Sequence, residues 1–355
     1  MLHIILFAIV LLAIFGAKPQ YRPLIGFAFI VLFIFAAIRY DFGNDYMGYY
    51  EHFQTIKLTG ESPFEKEWLY TALNQFSPNF FFMVALMSLA FVIVIWRLVH
   101  KQVVPELAWV SLAILLFNPY LFLMDLSAMR QTMALIVFML AVGFAEKRRW
   151  ILYCISILIA MLFHQTAIIL LPFYFLVNSN KVSRIQSVGI AIAILVLLFS
   201  PTIIIELIEQ ALTIFESKNY QYYFEKGMQN SVRATLLTAI SLVYIILNLP
   251  DLEGDTLRNA KLWGIGVAFN VLAYRLSMLT RIEMYFTIYS IAAFPMMIKN
   301  SWDVTQKHSK LYNLINQWAL PTLIILVYAL RYYSFFTNPM WEPFFDYQTI
   351  LGITF

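Results

Sequence analysis

The chain has little charge: only 12% of its 355 residues are Asp, Glu, Lys or Arg, whereas 61% are hydrophobic. A soluble domain usually carries about 25% charged residues, so a water-exposed surface of normal polarity is excluded. The mean hydropathy of +0.74 agrees. Cysteine is also nearly absent. Cys154, the one copy, lies in an apolar run, rules out an intrachain disulfide and says nothing about redox compartment. No fixed-period repeat, low-complexity tract or separate soluble domain interrupts the sequence. Residues 1–17 lack a basic start and a clear cleavage site, so they read as a first span rather than a signal peptide.

Long apolar runs fill the remainder. Many approach or exceed the length needed to cross roughly 30 Å of hydrocarbon. In lipid the backbone must satisfy its own hydrogen bonds, which leaves helices or closed barrels. These runs are continuous, whereas barrel strands alternate apolar and polar residues. The expectation is an all-α, polytopic membrane protein of about twelve spans, at 2–16, 23–38, 79–98, 105–123, 128–145, 150–163, 166–178, 186–204, 232–249, 262–274, 282–298 and 313–330. The pair 150–163 and 166–178 reads as a tight hairpin with Phe163, His164 and Gln165 at its tip. One transmembrane domain over 1–355 is expected, with its longest outer segments at 39–78 and 205–231.

Alternate loops differ in charge. One set holds about 14 of the 24 basic residues, including Lys147, Arg148 and Arg149, and about 6 of the 20 acids. The positive-inside rule makes that set cytoplasmic, and the net charge of +4 reflects topology rather than nucleic-acid binding.

The outer face carries Arg39, Arg130, Arg233, Arg275, Arg281 and Arg331, each at a predicted span end. Singly, such an arginine snorkels or pairs with a nearby acid. Together, several at one depth make a site for a phosphate-bearing ligand, because guanidinium matches phosphate oxygens bidentately. Asp41 and Asp45 lie in Arg39-Tyr-Asp-Phe-Gly-Asn-Asp-Tyr. On a helix they would share a face with Tyr49, while Gly43 and Gly48 would permit turns. They are candidate general bases or orienters of arginine, or else members of a polar loop held by Asx turns. Glu67 is a third acid at this level, and a metal reading of the aspartates has weak support.

His164 sits between apolar runs. It is either a helix-end hydrogen-bonding residue or a group that moves a proton near neutral pH. His3, His52, His100 and His308 lack such neighbours. Arg281 and Tyr285 share a helical face, with Arg275 one to two turns away. Ser127 is placed to cap the span that opens with Arg130 and Gln131, offering its N-terminus to an anion.

In order along the chain, Arg39…Gly43-Asn44-Asp45-Tyr46…Tyr49-Tyr50, Arg130-Gln131, Phe163-His164-Gln165-Thr166, Arg275-Leu276-Ser277, Arg281…Tyr285 and Pro343-Phe344-Phe345 resemble the EpsG-type branch of the Wzy-like polysaccharide polymerases. Asn44 stands where that family usually has a glycine or similar residue. The resemblance runs from about residue 36 to the C-terminus. It implies a multi-spanning, GT-C-like, inverting glycosyltransferase of the bacterial inner membrane, with its site facing the periplasm. Such an enzyme transfers a polymer from undecaprenyl diphosphate to a hydroxyl of a new lipid-linked repeat unit. A chain-length regulator is a further candidate partner. The outer arginines Arg39, Arg130, Arg275 and Arg281, with Gln131 and Tyr285, would bind the diphosphate. Asp45, Asp41, Glu67 and His164 are the candidates for the base. No cofactor or metal is required if guanidinium takes the leaving-group charge. An O-antigen ligase or another lipid-phosphate-dependent glycosyltransferase would use the same arginines with a different acceptor. A transporter or flippase would more often show internal repeats and charges near the bilayer midplane.

Overall fold

The computed structural model describes residues 2–64, 66–178, 181–199, 232–273 and 279–353. It is all-α: helix makes up 81% of it, and its one sheet is an antiparallel pair of two-residue strands. The chain divides into two compact units, Met1–Ser179 with Tyr328–Phe355, and Asn180–Val327.

In the first unit the helices are α1 (Leu2–Gly16), α2 (Pro23–Ala37), α3 (Tyr46–Thr59), α4 (Trp68–Phe76), α5 (Phe80–Gln102), α6 (Ala108–Phe117), α7 (Phe122–Ser127), α8 (Met129–Glu146), α9 (Trp150–Met161) and α10 (Tyr174–Val177). Strand β1 (Arg39–Tyr40) follows α2. Local chemistry sets several boundaries. Asn79 caps α5, its side-chain oxygen accepting from the Phe82 N–H at 2.8 Å. Gly60 closes α3 at φ 74°, a left-handed stop that glycine adopts without strain. Helices α2, α5, α8 and α9 pack in succession.

The second unit contains α11 (Arg184–Phe199), α12 (Val232–Asn248), α13 (Gly254–Leu272), α14 (Leu279–Thr287), α15 (Ser290–Asp303) and α16 (Lys310–Leu314). Helix α16 passes through a π turn at Ile315–Ala319 into α17 (Leu320–Thr337), beyond which lies β2 (Gln348–Thr349). The π turn buries Asn316 and Gln317. Asn248 donates to Asn316 at 3.2 Å, and Gln317 donates to the Ser301 carbonyl at 2.8 Å. Polar side chains of this kind join helices where no water is at hand.

Among the described residues, three helical stretches are long and apolar enough to cross a membrane, Phe80–Gln102, Met129–Glu146 and Lys310–Thr337. Shorter apolar helices of 10–17 residues accompany them among the described residues.

Several expected spans are interrupted. The run 105–123 breaks into α6 and α7 at Asn118-Pro119. Proline bars the preceding residue from the helical region, and Asn118 takes φ −104°, ψ 96°. The second arm of the expected hairpin, 166–178, is a 3₁₀ stretch at Gln165–Phe173 followed by one α turn, with Pro172 removing a backbone donor. The run 282–298 divides between α14 and α15. The outer segment 39–78 holds β1, α3 and α4. Arg331, expected at a span end, lies within α17. The outer segment 205–231 falls outside the described residues.

Loop contacts follow the two charge classes. Arg22 meets Glu106 at 2.8 Å, Lys181 meets Glu253, and His308 meets Asp251 at 2.8 Å, all within the basic set. In the first unit, residues of the other set converge around α3 and the start of α8.

Candidate functional site

The start of α4 and the end of α9 run together. Leu162 O accepts from the Leu69 N–H at 3.1 Å, which brings Glu67 and His164, 97 positions apart, to one point. Glu67 is buried. Its Oε1 lies 3.2 Å from His164 Nδ1 and also accepts the backbone N–H of Gln165 at 3.4 Å. Its Oε2 accepts from Arg130 Nη1 at 2.6 Å. Arg130, one residue into α8, donates its Nε to the Tyr49 hydroxyl at 3.5 Å and stacks over the Phe64 ring, 3.4 Å from the centroid. One carboxylate is thus shared by a guanidinium and an imidazole, and the guanidinium lies over Phe64 with its Nε bonded to Tyr49. The Arg130 side chain keeps 18% of its surface exposed, against 4% for Glu67.

Burial opposes the charge on Glu67. The His164 hydrogen bond and the Arg130 charge outweigh that penalty and hold the carboxyl below the ordinary glutamate value. Tyr49 is pushed up by burial and stays a neutral phenol.

Asp45 lies one turn before Tyr49, at the N-cap of α3, and is exposed. Its backbone N–H donates to Ser127 Oγ at 3.2 Å, so the entrance of α3 is joined to the residue three before Arg130. Ser127 therefore does not cap α8: the cap position is Ala128, with no side-chain bond, because the Ser127 hydroxyl faces the α3 entrance. Asp41 is exposed, at φ 44°. It and Asp45 do not share a helical face, since the helix begins only at Tyr46. Gln131 is buried in α8 beside Arg130.

Arg39 is placed differently. It is 2% exposed and donates to the Ala36 carbonyl, to Ser88 Oγ at 2.9 Å and to the Leu126 carbonyl at 3.2 Å. It ties α2 to α5 and α7, and its hydrogen-bond partners differ from those of Arg130. In the second unit, Arg281 and Tyr285 stand one turn apart on α14, with Tyr285 fully buried. Arg275 lies outside the described residues. No group of three or more His, Cys, Asp and Glu suited to a metal occurs among the described residues.

The family model described as the EpsG family matches residues 23–349. The chain belongs to the EpsG family. No curated protein and no solved structure gives a match. Membership, together with the apolar helices, makes this EpsG-family chain a membrane protein of polysaccharide biosynthesis.

Sequence reasoning on this EpsG-family chain missed several residues. Phe64 packs on Arg130, yet nothing in a lone Phe near a proline marks it. Asp125 is a buried acid in α7, and its place between apolar runs was the available signal. Glu283 in α14 accepts from Asn270 at 2.5 Å, and Asn270 in turn accepts from Thr238 at 2.7 Å, so one carboxylate links α12, α13 and α14. Those partners are 13 to 45 positions away and carry no common spacing.

Proposed function

We propose that this protein is a polysaccharide polymerase that joins undecaprenyl-diphosphate-linked repeat units at the outer face of the bacterial inner membrane. One observation carries the reading: Arg130 is fixed by Glu67, Tyr49 and Phe64 at the end of a long apolar helix, and the exposed Asp45 lies one turn before Tyr49 with its backbone N–H bonded to Ser127. A lipid-diphosphate leaving group needs a guanidinium there, and an acceptor hydroxyl needs a base nearby.

In the inverting step, the acceptor oxygen attacks the anomeric carbon of the donor sugar as the bond to diphosphate breaks. The bonding electrons leave with the diphosphate, and the hydroxyl proton goes to Asp45. Arg130 stabilises the negative charge that develops on the leaving group. Glu67 braces Arg130. Because His164 also holds Glu67, Arg130 can turn part of its fork to the diphosphate without stranding a buried carboxylate, which is the costly outcome for an ion pair. Asp45 suits the role of base because its side chain is exposed to an acceptor, whereas Glu67 is buried. From the sequence pattern alone, Arg275 and Arg281 are proposed as further diphosphate contacts.

The wider reading is one transmembrane domain of about twelve spans, GT-C-like, with the site on the periplasmic side. The orientation is supported by the excess of basic residues in alternate loops of the sequence. The test is in vitro polymerisation of a defined lipid-linked repeat unit. Arg130→Lys keeps the charge and loses the planar fork, and it should abolish long products at normal protein level. Wild-type chain lengths would refute the assignment.

A further inference from the structure

After α17 the chain turns back through a 3₁₀ stretch, Pro339–Phe344, into β2. This segment holds β1 and residues 42–44 of the loop between β1 and α3. Arg39 pairs with Thr349, and Tyr40 with Gln348. The Gly43 N–H donates to the Pro343 carbonyl at 3.1 Å, and Asn44 Nδ2 donates to the Met340 carbonyl at 3.3 Å. The Phe42 ring sits edge-on to Phe344 and Tyr347, at 5.4 and 5.2 Å. Tyr347 stacks on Phe35 at 4.3 Å and donates its hydroxyl to the Phe35 carbonyl. Phe344 and Tyr347 are fully buried.

Asp41 at φ 44° and Gly43 at φ 107° turn the loop through left-handed backbone conformations, the second of which glycine adopts without strain. A Cβ on Gly43 would lie 3.1 Å from Ser127 Cβ and 3.2 Å from the Phe344 ring, so the loop is closed in on both sides. Two residues further on is Asp45.

We infer that residues 340–349 form a positioning strap for the Asp45 loop, with Phe344 and Tyr347 as its positioning residues: they set where the Asp45 carboxylate meets the acceptor and touch no substrate. The inference rests on the reading of Asp45 as the base.

The test is a double-mutant cycle on the full chain, read as single-turnover transfer with saturating donor. Phe344→Ala should cut the rate roughly tenfold or more in the wild-type background and add less than about threefold on Asp45→Asn, because coupled neighbours are non-additive. In steady-state assays with varied donor, KM should stay within about twofold while kcat falls, and Phe344→Leu should recover most of the rate. If Phe344→Ala fails to fold, Tyr347→Phe, which removes one hydroxyl, carries the same cycle. A full additive loss on an impaired Asp45→Asn would overturn the strap alone. A normal rate for Asp45→Asn would overturn the base assignment and the strap with it.

Discussion

Replacing Glu67 with Gln is the most informative single change. It keeps the shape of a buried side chain that contacts Arg130 at 2.6 Å and His164 at 3.2 Å, and it removes the charge. Removing one member of a fully buried pair costs about 3–5 kcal/mol. Here 18% of the Arg130 side chain remains exposed, so water replaces part of the lost partner. The glutamine oxygen keeps a weaker hydrogen bond, and about 2–3 kcal/mol is the working figure. If that energy holds Arg130 in its reactive place, the turnover rate falls by about 30- to 150-fold, at 1.36 kcal/mol per tenfold. The pH dependence separates this account from simple misfolding. The folded Glu67 carboxyl titrates below the ordinary glutamate value. Its stabilisation is therefore complete above that ordinary value and is lost as pH falls through the lowered one. Thermal inactivation of the wild type should steepen with acid in that window, and Glu67→Gln should be flatter there. The assay is residual polymerisation after heating, in detergent, across pH. A variant with wild-type rate and wild-type acid sensitivity would refute the reasoning.

The remaining predictions concern topology, the base and metal. On a Cys154→Ala background, cysteines placed at the exposed positions 44 and 61 should label from the periplasmic side and one at 148 from the cytoplasmic side; labelling of position 44 from the cytoplasm alone would overturn the orientation. Asp45→Asn should lower single-turnover transfer by roughly 10²–10⁴-fold if it removes a general base, while His164→Gln, which retains a hydrogen-bonding group toward Glu67, should be milder; the reverse order would move the base to His164. Purified enzyme should retain activity in excess chelator if guanidinium carries the leaving-group charge, and activity restored only by Mg²⁺ or Mn²⁺ would favour a metal held by Asp41 and Asp45.

Composition and hydrophobic runs by themselves determined the all-α membrane class, because lipid permits few backbone solutions and continuous apolar runs select the helix. Helices such as Phe80–Gln102 and Met129–Glu146 follow directly from those runs. Breaks at Asn118-Pro119 and Pro172 were marked in the sequence by proline, but the apolar residues around them hid the interruption. The sequence also put Arg130, Glu67, His164 and Asp45 on one list of candidates. Only the tertiary structure shows where each of them sits. It buried Arg39 among carbonyls, tied Glu67 to two partners, left Asp45 exposed and laid Phe344 against Gly43. The physical reason is range. Helix formation is decided by residues within a turn or two of one another. An ion pair spanning 63 positions, or a strand pair joining residue 39 to residue 349, depends on how whole helices pack and leaves no periodic trace along the chain.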